Sequence, residues 1–194
     1  MDSGNCRDKL LAKMGERETL MTITFASYWH RSQTRKESGL PYIVHPIDVL
    51  TLIGRDWGIS NEIIWNAAIC HDMLEDTECT YDCLEINIGD AAPIVQELTF
   101  NPKDCSKEEY MGSFATKSLE AFIIKIADRV CNTRDFFVSN PRYAKKYFGK
   151  AHNLLQVFED RYTEIAEQFG VEVLTKMQQT INSLRYRLVL YHET

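Results

Sequence analysis

The chain has 194 residues, enough for one domain with a continuous core and short for two. Apolar residues supply 44% and charged residues 26%, with no low-complexity stretch, which excludes a disordered chain. A net charge of −6 excludes broad nucleic-acid binding, which needs a basic footprint, yet it permits a small anionic ligand held by a few local cations.

The longest apolar stretches, such as 119–127, are interrupted by Glu120 and Lys125 and are too short to cross a bilayer. Residues 1–15 carry charges throughout and lack the apolar centre of a secretion signal, so a cytoplasmic location and no membrane partner are expected. The six cysteines (Cys6, Cys70, Cys79, Cys83, Cys105 and Cys131) contain no CxxC pair and read as free thiols. No repeat or linker interrupts the chain. One domain over 1–194 is expected, with a core over about 20–160 and C-terminal helices over 140–193 packing on it.

Nearly every patterned segment has helical period. Leu20 to His30 forms a first helix. After a loop with Gly39 and Pro41, Pro46 opens a helix through about Arg55. Ser60 is a good N-cap for a long helix reaching about Leu74. Thr80 caps a short helix to Ile88, stopped by Gly89, and Ala91 to Leu98 is another. Ser118 to Asp135 is long and strongly periodic. Asn140-Pro141 opens a still longer helix to Phe169, ended by Gly170, and Val171 to Tyr191 closes the chain. Only Tyr42 to Val44 has strand character. The expected fold is all-α, with about eight to ten helices.

The chemistry concentrates in His71-Asp72-Met73-Leu74-Glu75-Asp76, at the end of an otherwise apolar helix. Burying an imidazole and three carboxylates without partners costs several kcal/mol each, so something must compensate them, and a divalent cation is the economical candidate. His71 with Glu75, and Asp72 with Asp76, are spaced i, i+4, which gives two adjacent polar stripes. The alternative is a helix end with solvated acids. In Ile123 to Val130, Asp128 sits mid-helix among apolar residues, and Asp128, Asn132 and Asp135 form one stripe. Here the alternative is a plain ion pair with Lys125 or Arg129. His45, just before Pro46, is by itself either a core histidine or a ligand.

Together these segments resemble the H…HD…D pattern of HD-domain phosphohydrolases. Residues 35–46, RKESGLPYIVHP, are similar to the "RK-SG-PYI-HP" signature of the RelA/SpoT-type alarmone hydrolase domain. Residues 71–77, HDMLEDT, resemble its "HDxxEDT", and residues 125–135, KIADRVCNTRD, resemble its "KLADRLxNLRD". The motifs occur in family order. With no length left for a synthetase domain, the resemblance is to the free-standing small alarmone hydrolases.

The resemblance implies that His45, His71, Asp72 and Asp128 hold one divalent ion, with Mn²⁺ the family's metal and Fe²⁺ compatible with the same N/O donors. It implies Glu75 and Asp76 as the catalytic acid pair acting on a metal-activated water. It implies Arg35, Lys36, Asn132 and Tyr147 as contacts to a nucleotide substrate. Departures fall on the substrate side: Ser32 precedes Gln33, Leu40 replaces an acid, Thr99-Phe100 replaces Thr-Lys, and Arg142 is not four residues before Tyr147. The implied reaction is removal of the 3′-pyrophosphate of guanosine tetra- or pentaphosphate. A metal-dependent phosphatase acting on NADPH or a related ribose-phosphate nucleotide is the second reading, and a catalytically silent nucleotide binder the third.

Overall fold

The computed structural model describes residues 6–191 except Glu37, with side chains described from Arg17 onward. Among these residues the regular structure is helical, and the only extended pairing is an isolated bridge between Thr34 and Pro41. The all-α expectation holds. Among the described residues no helix is long and apolar enough to cross a membrane.

The core is built on two helices, α3 (Glu62–Cys70) and α8 (Leu119–Ser139). Ile64, Ala67, Ala68 and Ile69 of α3 are fully buried, and α8 is buried on nearly all sides from Leu119 to Cys131. A helix apolar around its whole circumference needs cover on every side. Here α1 (Cys6–Trp29), α2 (Val44–Thr51) and α6 (Ala92–Leu98) pack on α3, while α2, α6, α9 (Pro141–Gly149) and α12 (Val171–Leu190) pack on α8.

Between them run α4 (Met73–Asp76), α5 (Tyr81–Ile88), α7 (Lys107–Ser113), α10 (His152–Asp160) and α11 (Tyr162–Phe169).

Several boundaries differ from the sequence reading, each for a local reason. The first helix begins at Cys6, well before Leu20. The helix opened near Pro46 changes to a π-helical turn over Leu52–Asp56, so its apolar stripe is offset. The cap of α3 is Asn61, whose side chain accepts from Ile64 N at 3.1 Å; Ser60 lies one residue outside. Segment α7 was not foreseen, although Ser106 and Glu109 form a complete capping box. The long helix expected from Pro141 to Phe169 is three helices, because Ala151 (φ −89°, ψ 13°) and Arg161 (φ −99°, ψ 13°) leave the helical region. Arg161 is buried and donates to the carbonyls of Phe114 and Lys117, both at 3.0 Å, so this bend is held by tertiary bonds. Caps Thr80 and Asn140, and the stops at Gly89 and Gly170, are where the sequence puts them.

The loop 30–42 returns on itself to face α8. Arg35 N donates to Leu40 O and Gly39 N to Arg35 O, both at 2.8 Å, and Gly39 takes the left-handed conformation (φ 71°) that the turn requires.

The cap assignment has a direct test. Asn61→Ala should cost about 1 kcal/mol of stability, the usual worth of an N-cap, whereas Ser60→Ala should stay within about 0.5 kcal/mol, as for surface changes. Denaturant midpoints of the two variants check this.

Candidate active site

Three helices and one loop bring the foreseen residues together. His45 is the second residue of α2, His71 and Asp72 lie in the turn joining α3 to α4, and Asp128 is central in α8. That turn corrects the sequence reading in which one helix ran through to Leu74. Asp72 sits at φ −99°, ψ 0°, in the bridge region where active-site residues are often found. The chain therefore turns between the two pairs that i, i+4 spacing had placed on one continuous helix.

The donor atoms converge. His45 Nε2 is 3.2 Å from Asp128 Oδ1 and 3.8 Å from Asp72 Oδ2. His71 Nε2 is 2.9 Å from Asp72 Oδ2 and 3.8 Å from Asp128 Oδ1. Ligand atoms of His45, His71 and Asp72 all fall within 4.8 Å of one another.

The chemistry of this set fits a metal ion. His71 Nδ1 lies 2.8 Å from the Ala68 carbonyl, which places a proton on Nδ1 and turns Nε2 into the site. That Nε2 is buried and has no hydrogen-bond partner. These imidazoles and carboxylates, with the orphaned nitrogen, are hard and borderline donors compatible with a divalent cation.

Electrostatics tell the same story from the other side. Burial works to raise the Asp128 carboxyl, but Lys125, 3.0 Å away, together with His45 and His71, holds it well below the usual carboxylate range. Burial likewise opposes ionisation of Asp72, and His71 more than reverses it. Burial lowers the His71 imidazole, and Asp72 and Asp128 outweigh that and raise it to about 9. Lys125 is pushed down by burial and further up by Asp128. Asp128 pairs with Lys125, the plain ion-pair alternative of the sequence reading, and also faces the two histidines.

Glu75 and Asp76 line a cavity of about 180 Å³ together with Tyr42, Asp72, Lys125, Asp128 and Asn132. Glu75 accepts a bond from Phe100 N at 3.1 Å, so the Thr99-Phe100 departure contributes a backbone donor. Partial desolvation pushes both acids above their ordinary values, assisted at Asp76 by the charge of Asp72.

The substrate-side residues are placed less uniformly. Arg35 donates to Asn132 Oδ1 at 2.8 Å and to Asp135 Oδ2 at 2.5 Å, and Asn132 in turn donates to Asp128. Asn132 therefore links the Arg35 loop to the buried carboxylate. Tyr147 packs under the Arg129 guanidinium at 4.1 Å and against Phe136. Lys36 is exposed and lines none of the cavities around the site.

Sequence reasoning missed Tyr42, Lys125, Arg129 and Lys107, which all line this region. Tyr42, Lys125 and Arg129 lie inside the recognised motifs, so the signal was present and was absorbed into strand or ion-pair readings.

No protein-family model matches the chain. Individual relatives do. Over 123 residues it is 35% identical to the guanosine-3′,5′-bis(diphosphate) 3′-pyrophosphohydrolase MESH1 of Mus musculus, spanning 61% of this chain and 69% of the relative. The Danio rerio protein of the same name is 36% identical over 159 residues, or 77% of this chain and 88% of the relative. The chain belongs to the MESH1 family. A solved structure of a metazoan ortholog of SpoT that hydrolyses ppGpp superimposes with a TM-score of 0.69 at 26% identity, covering 86% of this chain and 94% of that one.

Asp72→Ala should lose divalent-ion binding, and Glu75→Ala should retain it. Metal content after gel filtration, measured by elemental analysis, separates the two outcomes.

Proposed function

We propose that this protein is a divalent-metal-dependent 3′-pyrophosphohydrolase of guanosine tetra- and pentaphosphate, releasing pyrophosphate and leaving GDP from the first and GTP from the second. The observation that carries this is the convergence of His45 and His71 on Asp72 and Asp128, two carboxylates that line one cavity with Glu75 and Asp76, in a member of a family whose relatives are named for this reaction. Manganese is the ion we assign, as the family resemblance implies; the mixed imidazole and carboxylate set is compatible with it and equally with Fe²⁺.

A divalent ion bound there supplies polarisation of a phosphoryl oxygen and a lowered pKa for water. The chain's own residues supply the rest. The Glu75 carboxylate, fixed by Phe100 N, orients the attacking water and takes its proton. Asp76, one residue on, serves the proton delivered to the departing 3′-oxygen. Lys125 faces the same cavity as a permanent cation and offsets negative charge at the phosphorus.

The remainder of the nucleotide has a place to lie. A second cavity of about 540 Å³ shares Arg129 and Tyr147 with the first, and Lys107 and Lys150 also line it. Arg129 is 4% exposed, forms no ion pair within 4 Å among the described residues, and has an Nε with no partner. A buried cation without a counter-ion is costly, and a substrate phosphate would relieve that cost. Asn132 lines the first cavity and accepts from Arg35 at 2.8 Å, and these two complete the substrate contacts in this reading.

Incubation of metal-free protein with Mn²⁺ and ppGpp should yield pyrophosphate and GDP by ion-exchange chromatography. Orthophosphate from NADPH, with ppGpp left intact, would reject this substrate. Replacing Arg129 with Met should raise KM for ppGpp by at least tenfold, about the worth of one charged hydrogen bond, with a smaller change in kcat.

The raised values of Glu75 and Asp76 also set a pH profile. A base must be ionised, so kcat should fall as pH drops through the folded-state value, which partial desolvation places above 4.5 for Glu75. The acidic limb should therefore lie at higher pH than that of an ordinary glutamate and disappear in Glu75→Gln along with most of the activity.

A further inference from the structure

The loop before α2 reaches the site with a residue that is neither a candidate ligand nor one of the acid pair. Tyr42 Oη donates to Asp72 Oδ2 at 2.5 Å, and Tyr42 and Asp76 line the same cavity. One O–H group thus touches a proposed metal ligand, on a residue that shares a cavity with a proposed catalytic acid.

The ring that carries this hydroxyl is fixed from several sides. His30 packs on it with centroids 4.7 Å apart at 33°, His45 meets it edge-on at 5.9 Å, and the Arg35 guanidinium stands 5.7 Å from its centroid. His30 is itself held, with Nδ1 2.8 Å from Gln33 Oε1, and Gln33 Nε2 donates to the backbone carbonyl of Asp76 at 2.5 Å. The run Asp76–Gln33–His30–Tyr42–Asp72 closes a ring of contacts around the turn that presents the site acids. Burial and the neighbouring carboxylates keep the phenol protonated, so it is a donor throughout the working pH range.

We propose that Tyr42 is a positioning residue that locks the Asp72 carboxylate for the divalent ion and fixes its separation from Asp76, with His30 and Gln33 as its buttress. This rests on the reading of Asp72 as a metal ligand and Asp76 as a catalytic acid. A carboxylate that ligates through one oxygen is free to rotate about its terminal bond. A hydrogen bond from a rigid ring removes that freedom before the ion arrives. Losing such an outer partner typically costs about 10–100-fold in metal affinity or activity.

Tyr42→Phe keeps the ring and its contacts with His30, His45 and Arg35 and removes only the donor. Manganese affinity is measured on metal-free wild type and variant by competition with a fluorescent chelator. Then kcat and KM for ppGpp are measured at saturating Mn²⁺, and melting of the metal-free proteins is compared. The expected result is a manganese affinity weakened about 10–100-fold, and a lower kcat with KM within about twofold of wild type.

Unchanged affinity and unchanged kcat would overturn the proposal. So would losses matched by a general drop in melting temperature, because a packing role alone predicts that pattern. Wild-type protein that binds manganese yet leaves ppGpp intact would reject the proposed substrate only, since the affinity comparison still decides the role of Tyr42.

Discussion

The structure turns on one buried carboxylate. Asp128 lies in the middle of α8, whose surroundings are otherwise apolar, and its carboxylate is almost wholly removed from water. An isolated charge in that position is not sustainable. Lys125 answers it from one turn earlier in the same helix, Asn132 from one turn later, His45 from α2 and His71 from the end of α3. The packing of α2 and α3 against α8 is therefore more than cover for an apolar stripe; it delivers the partners that the carboxylate requires. The site and the core are solved by the same contacts.

Much of the site was legible in the sequence because charged residues are conspicuous where the surroundings are apolar. His71 and Asp72 follow seven mostly apolar residues, and Asp128 interrupts a run of isoleucine and alanine. Four such residues carried motif identity as well as chemistry, and the structure brings all four together. Their convergence was not legible, since helical spacing spoke only for neighbours within one helix. The i, i+4 argument for His71 with Glu75 assumed a continuous helix, and the chain bends at Asp72 instead. The same holds at Ala151 and Arg161, where helix-forming composition continues through the break. A bend held by Arg161 bonding carbonyls more than forty residues away leaves no mark on local pattern. The capping box of α7, by contrast, was readable in Ser106 and Glu109 and was overlooked beside the Asn101-Pro102 break.

The substrate side shows the limit of reading residues one at a time. Arg35 looked like a free cation for a purine or a phosphate, yet its guanidinium already holds Asn132 and Asp135. The residue without such ties is Arg129, which the sequence offered only as a counter-ion for Asp128. Which cation is satisfied within the fold and which is not depends on helix packing, and only the tertiary structure reveals it. Tyr147, chosen on motif position, does lie at the shared wall of the two cavities, as a half-buried ring stacked under that unsatisfied guanidinium.

The clustering of Lys107, Arg129 and Lys150 in one cavity of a protein with net charge −6 has a kinetic corollary. A polyanion approaching from afar meets overall repulsion, and the cationic wall dominates only within about 8 Å, the screening length at physiological ionic strength. Moderate salt should then hasten capture by muting the far field, while tightness once inside declines as the near field is screened. Encounter and residence would respond to ionic strength in opposite directions.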